Sequence, residues 1–130
     1  MPDEIPKGHY PYQAPIDAYG NGGFRFAGMS HRGSLFCSPA GMDAWRITSP
    51  AEITLETLQP MLDIADRIDV LLVGTGADIA VLDAGIRNAF RERQVILEAV
   101  PTRSAVSTYN ILLSEQRAIA AALLAVERGR

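Results

Sequence analysis

The sequence predicts an α/β domain in which a run of short strands precedes a βαβα unit. Two short apolar runs, at residues 70–73 and 95–97, are typical of strands that are covered on both faces. Between them, residues 83–93 place Ile86 and Phe90 on one face of a predicted helix. A strand–helix–strand unit is right-handed and has parallel strands, so both strands are expected to end at the same edge of the sheet.

The first half of the chain is predicted to hold short strands behind an N-terminal arm. Four of the eight prolines fall within residues 1–15, which offer few aliphatic side chains. Residues 1–13 are therefore predicted to be a flexible arm, and residues 14–130 a single α/β domain. Short strands are predicted over 16–18, 24–27, 34–37 and 42–47, with residues 28–33 as the loop of a hairpin.

Two further helices are predicted. Apolar residues recur at three- and four-residue spacing within 54–67, although Pro60 predicts that this helix is kinked or starts late. The last element is predicted as one long helix over 104–128, with Thr102 or Ser104 as its cap. Alanines surround the second half of that helix, which predicts close approach by a partner or by a neighbouring helix of the same domain. They are Ala118, Ala120, Ala121, Ala122 and Ala125.

Composition narrows the classes of function. Hydrophobic residues make up 48% and charged residues 21% of the chain, as in an ordinary soluble globular protein. The net charge of -3 argues against a general nucleic-acid surface, which needs a basic excess. The apolar runs are too short for a membrane span, and no apolar segment near the N-terminus suggests a signal peptide. Cytoplasmic localisation without stable membrane insertion is therefore expected.

Residues that could carry catalysis or bind a metal are few. The single cysteine, Cys37, lies in an apolar run and is expected to be a small buried side chain. His9 and His31 have no Cys, Asp or Glu at metal-ligand spacing. No nucleophile is paired with a base, so neither catalytic residues nor a metal or other cofactor are predicted.

The candidate site lies where the predicted strands end. Gly74-Thr75-Gly76 follows the first strand, and a helix start follows the second, so the two segments are expected to line one cleft. Free amides at a helix N-terminus favour an anion. The candidate residues are Gly74, Thr75, Gly76, Asp78, Arg87, Thr102, Thr108, Tyr109 and Asn110.

A purely structural interpretation of these residues is also open. The glycines could serve only to make a tight turn, since Ile79 stands where a dinucleotide-binding motif needs its third glycine. Tyr109 is a good core anchor, Asn110 a good partner for nearby backbone, and Asp78 a good solvated turn residue.

Several short motifs, taken in order, resemble one family. They are Tyr19-Gly20-x-Gly22-Gly23-Phe24-Arg25, Gly33-Ser34-Leu35, Trp45, Leu71-Leu72-Val73-Gly74-Thr75-Gly76, Thr108-Tyr109-Asn110-Ile111-Leu112-Leu113 and Ala120-Ala121-Ala122-Leu123. Over residues 14–126 the chain is similar to bacterial and archaeal relatives of mitochondrial NADH dehydrogenase (complex I) assembly factor 3. The resemblance implies a three-layer α/β fold around a mixed central sheet, with extra small strands, and a role in assembly with partner proteins. No enzyme activity is established for the family.

The chain departs from the family pattern at two places. Ser107 stands where an arginine is expected before Thr108, and Val100-Pro101 replaces a more usual Met-Asp. If that arginine contacts a ligand, its absence weakens a ligand role for this segment, and Arg103 would occupy a different position on the helix.

Three hypotheses about function follow. The first is a non-catalytic protein-interaction or assembly-factor-like domain, linked to the assembly of respiratory complexes or membrane proteins and acting on protein partners. The alternative is a small anionic ligand or nucleotide-binding domain that uses the Gly74–Asp78 loop and the helix start at 102–110. An enzyme of unknown type comes last. The sequence leaves homo-oligomerisation open.

Overall fold

A six-stranded mixed sheet forms the centre of the structure, a computed structural model that describes residues 9–128. The strands are β1 His9–Tyr10, β2 Ala18–Gly20, β3 Gly23–Phe26, β4 Met29–Arg32, β5 Ser34–Ser38, β6 Gly41–Trp45, β7 Val70–Gly74, β8 Ile96–Val100 and β9 Ile119–Leu123. The helices are α1 Gln59–Asp63, α2 Ala84–Glu92 and α3 Thr102–Ser114, with 3-10 turns at Pro50–Glu52 and Ala65–Arg67. The central sheet has the order β1-β6-β5-β9-β7-β8, and β2-β3-β4 form a smaller sheet.

The predicted α/β class and the mixed central sheet are confirmed. Strand β7 runs parallel to β8 and β9, whereas β9 runs antiparallel to β5. One face of the sheet packs against α1 and α2 through a core that includes Leu58, Ile86 and Phe90. The other face packs against α3 and the small sheet through a core that includes Phe24 and Tyr109. These two cores make the three layers.

The alanine-rich segment is a strand, so the predicted helix over 104–128 is wrong in its second half. Helix α3 ends at Ser114, Gln116 turns the chain with φ +62°, and Ile119–Leu123 becomes a central strand that is buried throughout. Alanine favours a helix by less than about 1 kcal/mol per residue, which burial between two strands overrides. Ala120 and Ala122 face one core and Ala121 the other. The small side chains therefore serve the protein's own layers and leave no all-alanine helix surface for a partner.

The small sheet replaces the predicted hairpin loop. Residues 28–33 are mostly strand β4, which pairs with β3, and β5 pairs with β6 instead. Both of its hairpins turn on two residues with positive φ, Asn21-Gly22 (53° and 77°) and Ala27-Gly28 (52° and 75°). That is the geometry of a type I′ turn, whose twist matches that of the flanking strands.

Other boundaries also shift. The predicted helix over 54–67 is reduced to α1 and a 3-10 turn, with Pro60 in the first turn of α1. The predicted helix over 83–93 is confirmed as α2, where the Asp83 carboxylate accepts a hydrogen bond from the Gly85 amide. Strand β8 is not buried on both faces as predicted, because it forms the edge of the sheet and leaves Ile96 62% exposed.

The predicted N-terminal arm falls only partly within the described residues. Residues 1–8 lie outside them, so their flexibility stays a prediction. His9–Tyr10 forms the edge strand β1, which pairs with β6, and the Tyr10 ring packs near Phe26. The segment at residues 9 and 10 is therefore attached to the sheet.

The ends of β7, β9 and α3 meet at one buried hydroxyl. The Thr102 hydroxyl donates a hydrogen bond to the Leu124 carbonyl at 2.8 Å and accepts one from the Gly76 amide at 3.0 Å. The Thr102 amide donates to the Gly76 carbonyl at 2.9 Å. Thr102 was expected as a helix cap, but its side chain points back into the sheet edge and joins two strand ends to the helix. We call these contacts the Thr102 junction.

Replacing Thr102 tests how much this junction contributes. In Thr102→Val the Gly76 amide and the Leu124 carbonyl lose their partner inside the protein, which should cost about 2 to 4 kcal/mol of unfolding free energy. Thr102→Ser keeps the hydroxyl and should cost less than about 1.5 kcal/mol. Urea denaturation of both variants measures the difference, and equal losses would contradict the assigned role of the hydroxyl.

The two glycines beside the junction should be sensitive for different reasons. Gly76 has φ +99° with its nearest contact for an added Cβ at 3.9 Å, so Gly76→Ala should cost about 1 to 2 kcal/mol through backbone strain alone. A Cβ on Gly74 would lie 2.9 Å from the Thr102 hydroxyl, so Gly74→Ala should cost about 1 to 3 kcal/mol through steric overlap. Thermal melting compares both with the parent. If neither variant is less stable, the glycines are needed for something other than folding, and ligand binding gains support.

Candidate functional site

A cavity of about 830 Å³ opens where β7 and β9 end. One wall is formed by residues 75–80 and the other by residues 124–128. Arg103 lies at the start of α3, and Tyr19 completes the lining together with Thr48 and Pro50. We call this cavity the strand-end cleft. It lies at the edge where an open α/β sheet usually binds its partner molecule.

The base of the β7–α2 loop is fixed by Thr75. Its hydroxyl is placed to donate a hydrogen bond to the Asp78 carbonyl at 2.6 Å, with the Val100 carbonyl at 3.2 Å, and its amide donates to Val100 at 2.8 Å. Beyond this base the loop presents apolar side chains to solvent, with Ile79 68% and Val81 96% exposed. Leu82 then returns into the core. The rim of the cleft is therefore an apolar loop on a hydrogen-bonded base.

The opposite wall is also held in place by backbone hydrogen bonds. The amides of Asn21 and Gly22, in the first tight turn of the small sheet, donate to the carbonyls of Glu127 and Val126 at 2.7 and 2.9 Å. The Leu124 amide donates to the Gly74 carbonyl at 3.0 Å. The chain that follows β9 is thus fixed between the two sheets.

Few amides at the start of α3 are free to bind an anion. The Thr102 amide is bonded to the Gly76 carbonyl, and the amides of Ser104 and Ala105 both donate to the Pro101 carbonyl. The feature that suggested an anion site from the sequence is therefore largely used within the fold.

The structure brings together part of the predicted site. Thr75, Gly76 and Asp78 line the strand-end cleft, and the side chain of Thr102 is hydrogen-bonded behind Gly76. Gly74 is buried in the same region, where an added Cβ would meet Thr102 and Leu123.

The other predicted residues lie elsewhere. Thr108 lines a neighbouring depression of about 380 Å³ that it shares with Tyr19 and Arg103. Arg87 lies on α2, where its guanidinium donates a hydrogen bond to the Leu97 carbonyl of β8 at 3.1 Å.

Tyr109 and Asn110 hold the N-terminal segment against α3. The buried Tyr109 hydroxyl donates to the Ala14 carbonyl at 2.8 Å, and burial, followed by the nearby Cys37, raises the pKa of this phenol well above its usual range. The Asn110 amide group donates to the Ile16 carbonyl and accepts from the Ile16 amide, both at 2.8 Å. Neither side chain lines the strand-end cleft.

The cleft also uses residues that the sequence analysis did not single out. Ile79 and the segment 124–128 line it, and Val81 lies exposed on the same loop beyond that lining. The apolar stretch before α2 was the sequence signal for the loop, and no signal marked 124–128. Arg103, considered as a substitute for the missing arginine from a different position on the helix, lines both the cleft and the neighbouring depression.

The described part of the chain gives little support for a metal site or a reactive cysteine. Residues 9–128 contain no group of three or more His, Cys, Asp or Glu side chains that could hold a metal ion. Cys37 is fully buried, as expected, and this burial raises the pKa of its thiol far above its usual range. No helix among the described residues is long and apolar enough to cross a membrane.

Comparison with known proteins places the chain among relatives. An uncharacterised protein of Rhodobacter capsulatus is 40% identical over 85% of this chain and 83% of its own length. NADH dehydrogenase [ubiquinone] 1 alpha subcomplex assembly factor 3 of Xenopus tropicalis is 35% identical over 84% of this chain, which spans 60% of the frog protein. A crystal structure described as an outer membrane protein from Bartonella henselae superimposes with a TM-score of 0.88, at 48% identity, over 92% of this chain and all of that one.

These matches confirm the resemblance to the relatives of assembly factor 3. The family described as "Protein of unknown function (DUF498/DUF598)" matches residues 16–124, which covers most of the described structure. The chain therefore belongs to the DUF498/DUF598 family.

Proposed function

We propose that this chain is a protein-binding assembly factor, and that the strand-end cleft with its apolar rim is the surface that holds its partner. The observation that carries the proposal is the exposure of Ile79 and Val81 beside a cleft whose walls are fixed by backbone hydrogen bonds. Burying one such side chain against a partner contributes about 1.5 to 3 kcal/mol. A fixed base adds to this, since little ordering is required on binding.

The chemistry of the cleft supports binding more than turnover. The Thr75 hydroxyl is already directed at the Asp78 and Val100 carbonyls, and the Thr102 hydroxyl is committed to the junction. Asp78 and Glu127 line the cleft, but the hydrogen bonds that these two hydroxyls donate go to backbone carbonyls and not to a histidine or carboxylate side chain. The remaining surface is a mixture of apolar side chains and a few charges, as in the core and rim of a protein interface.

The more specific proposal is that the chain takes part in the assembly of respiratory complex I. Relatives that are named for this role are 30 to 35% identical to the chain in vertebrates. The chain spans only about 60% of such relatives, so the partners of those longer proteins come to it as part of this proposal.

A small anionic ligand or nucleotide is the second candidate for the cleft. Arg103 in the lining favours it, whereas the occupied amides of the first turn of α3 work against it. Isothermal titration with nucleotides and inorganic phosphate would detect such a ligand directly.

The cellular location forms part of the proposal. We place the chain in the cytoplasm, where it would act on the cytoplasmic side of complex I. The Bartonella relative, in contrast, is described as an outer membrane protein. Cell fractionation with an antibody against the native chain decides between these locations.

The rim residues provide the test of function. In an organism that carries both this gene and complex I, gene deletion should lower the amount of assembled complex I on native gels. The parent gene should restore assembly, and the double variant Ile79→Asp with Val81→Asp should not, because charges replace the apolar contact.

A matched double variant separates this effect from a general loss of surface apolarity. Ile96→Asp with Ile111→Asp changes two residues that are 62% and 58% exposed, on β8 and α3 and outside the cleft lining, and should restore assembly fully. Unchanged complex I in the deletion strain would refute the assembly role. Full complementation by the rim variant would refute the use of this surface.

A further inference from the structure

The Tyr19–Arg25 motif forms most of β2 and β3 in the small sheet, and of its residues Tyr19 lines the strand-end cleft. The outer face of this sheet forms a separate surface. Phe24 and Phe26 point into the core, and His31 is buried with its Nε2 beside the Ser34 carbonyl at 2.9 Å. By strand alternation and register, the opposite face carries Ala18, Gly20, Gly23, Arg25, Ser30 and Arg32. We call this face the arginine platform. It lines a depression of about 280 Å³.

The platform is positively charged in an acidic protein. Arg25 and Arg32 are the charged side chains in its lining, which holds no Asp or Glu, and the Glu127 carboxylate lies outside it beside Gly22. Arg25 pairs across the strands with Ser30, so Arg32 is its diagonal neighbour, at a Cα distance of about 7 to 8 Å. Like charges on neighbouring strands of one face repel each other, and a carboxylate bound near both would relieve the repulsion.

Within residues 9–128, the side chains of Arg25 and Arg32 make one hydrogen bond and no ion pair. Arg25 donates one hydrogen bond to the Ser30 hydroxyl at 2.6 Å, which orients its guanidinium on the platform. The ion pair seen within residues 9–128 joins His9 and Asp43, far along the other sheet, and involves neither arginine. A guanidinium has five N–H donors that match a carboxylate in a two-pronged geometry.

The platform adjoins the strand-end cleft. Tyr19 lines the platform depression, the cleft and the third depression beside α3. Strand alternation places the Tyr19 side chain on the face opposite Arg25 and Arg32, so a chain segment that leaves the cleft reaches the arginines by passing over the β2 edge of the small sheet. Gly23 is required within the small sheet itself, because an added Cβ would lie 2.2 Å from the His31 carbonyl of β4.

We propose that the arginine platform binds an acidic, extended segment of the same partner protein whose apolar part occupies the strand-end cleft. This inference rests on the proposed function and adds the chemistry of the partner, namely apolar residues followed by carboxylates. An open sheet face suits a peptide segment better than a small molecule, which needs a concave pocket that encloses most of its surface. The net charge of -3 disfavours a nucleic acid on the same face.

A synthetic peptide that joins an apolar half to a polyglutamate half is the probe. Added to the full chain labelled with ¹⁵N, it should cause saturable amide shifts in residues 18–32 and in the cleft walls. A peptide with glutamine in place of every glutamate should bind roughly tenfold more weakly, and added salt should reduce that difference because exposed charges are screened.

Arginine variants localise the effect. Arg25→Gln with Arg32→Gln should remove most of the preference for the acidic peptide, and Arg25→Lys with Arg32→Lys should restore part of it. Arg91→Gln with Arg117→Gln removes the same charge from exposed positions on α2 and before β9 and should leave the preference unchanged. Thermal melting establishes that each variant is folded.

The outcomes separate this inference from the proposed function. Equal binding of both peptides, an unchanged preference in the Arg25 and Arg32 glutamine variant, or tighter binding of inorganic phosphate or a single-stranded oligonucleotide at these amides would overturn it. So would full restoration of complex I assembly by that variant. If the Ile79 and Val81 variant still fails in that assay, the protein-binding function stands while the acidic-segment inference falls.

Discussion

The Thr102 junction is the constraint on which the rest of the strand-end region depends. One buried hydroxyl connects the end of β7 through Gly76, the end of β9 through Leu124, and the first residue of α3. A buried amide or carbonyl without a partner costs roughly 1 to 3 kcal/mol, so these ends are held together strongly. The junction also explains Gly74, because any Cβ there would occupy the space of the hydroxyl. Both walls of the cleft start from these fixed points, and each becomes exposed farther on, at Ile79 and Val81 in one wall and at Glu127 and Arg128 in the other.

The helices and strands that were predicted correctly are those whose sequence signal lies within a few neighbouring residues. The apolar run of β7 and the spacing of Ile86 and Phe90 in α2 are such signals, and the parallel pairing of β7 with β8 followed from chain handedness. The alanine segment could not be assigned in this way, since its state is decided by β5 and β7, which flank it in space and lie far away in sequence. The resemblance supplied the mixed sheet, which no local pattern indicates.

The sequence predicted where the candidate site lies better than it predicted which side chains line it. Thr75, Gly76 and Asp78 lie at the expected edge, because the ends of parallel strands meet there whatever the side chains do. A sequence does not tell whether a hydroxyl or amide faces a ligand or the backbone. Tyr109 and Asn110 turned toward Ala14 and Ile16, and Thr102 toward Gly76 and Leu124. Arg25 and Arg32 become neighbours only through the register of the β3–β4 hairpin, which turns at Ala27-Gly28, where the sequence had predicted a loop over residues 28–33.

The position of Arg87 bears on which surface a partner can use. In β8 the Ile96 amide and the Val100 carbonyl bond toward β7, so the Leu97 carbonyl points to the free edge. Arg87 donates to that carbonyl, and Glu98 places a charge on the exposed face of the same strand. Charges at an open edge discourage the addition of a foreign strand. With that edge guarded, the proposal that a partner uses the apolar rim and the arginine platform gains support, and Tyr19 lines both the cleft and the platform depression.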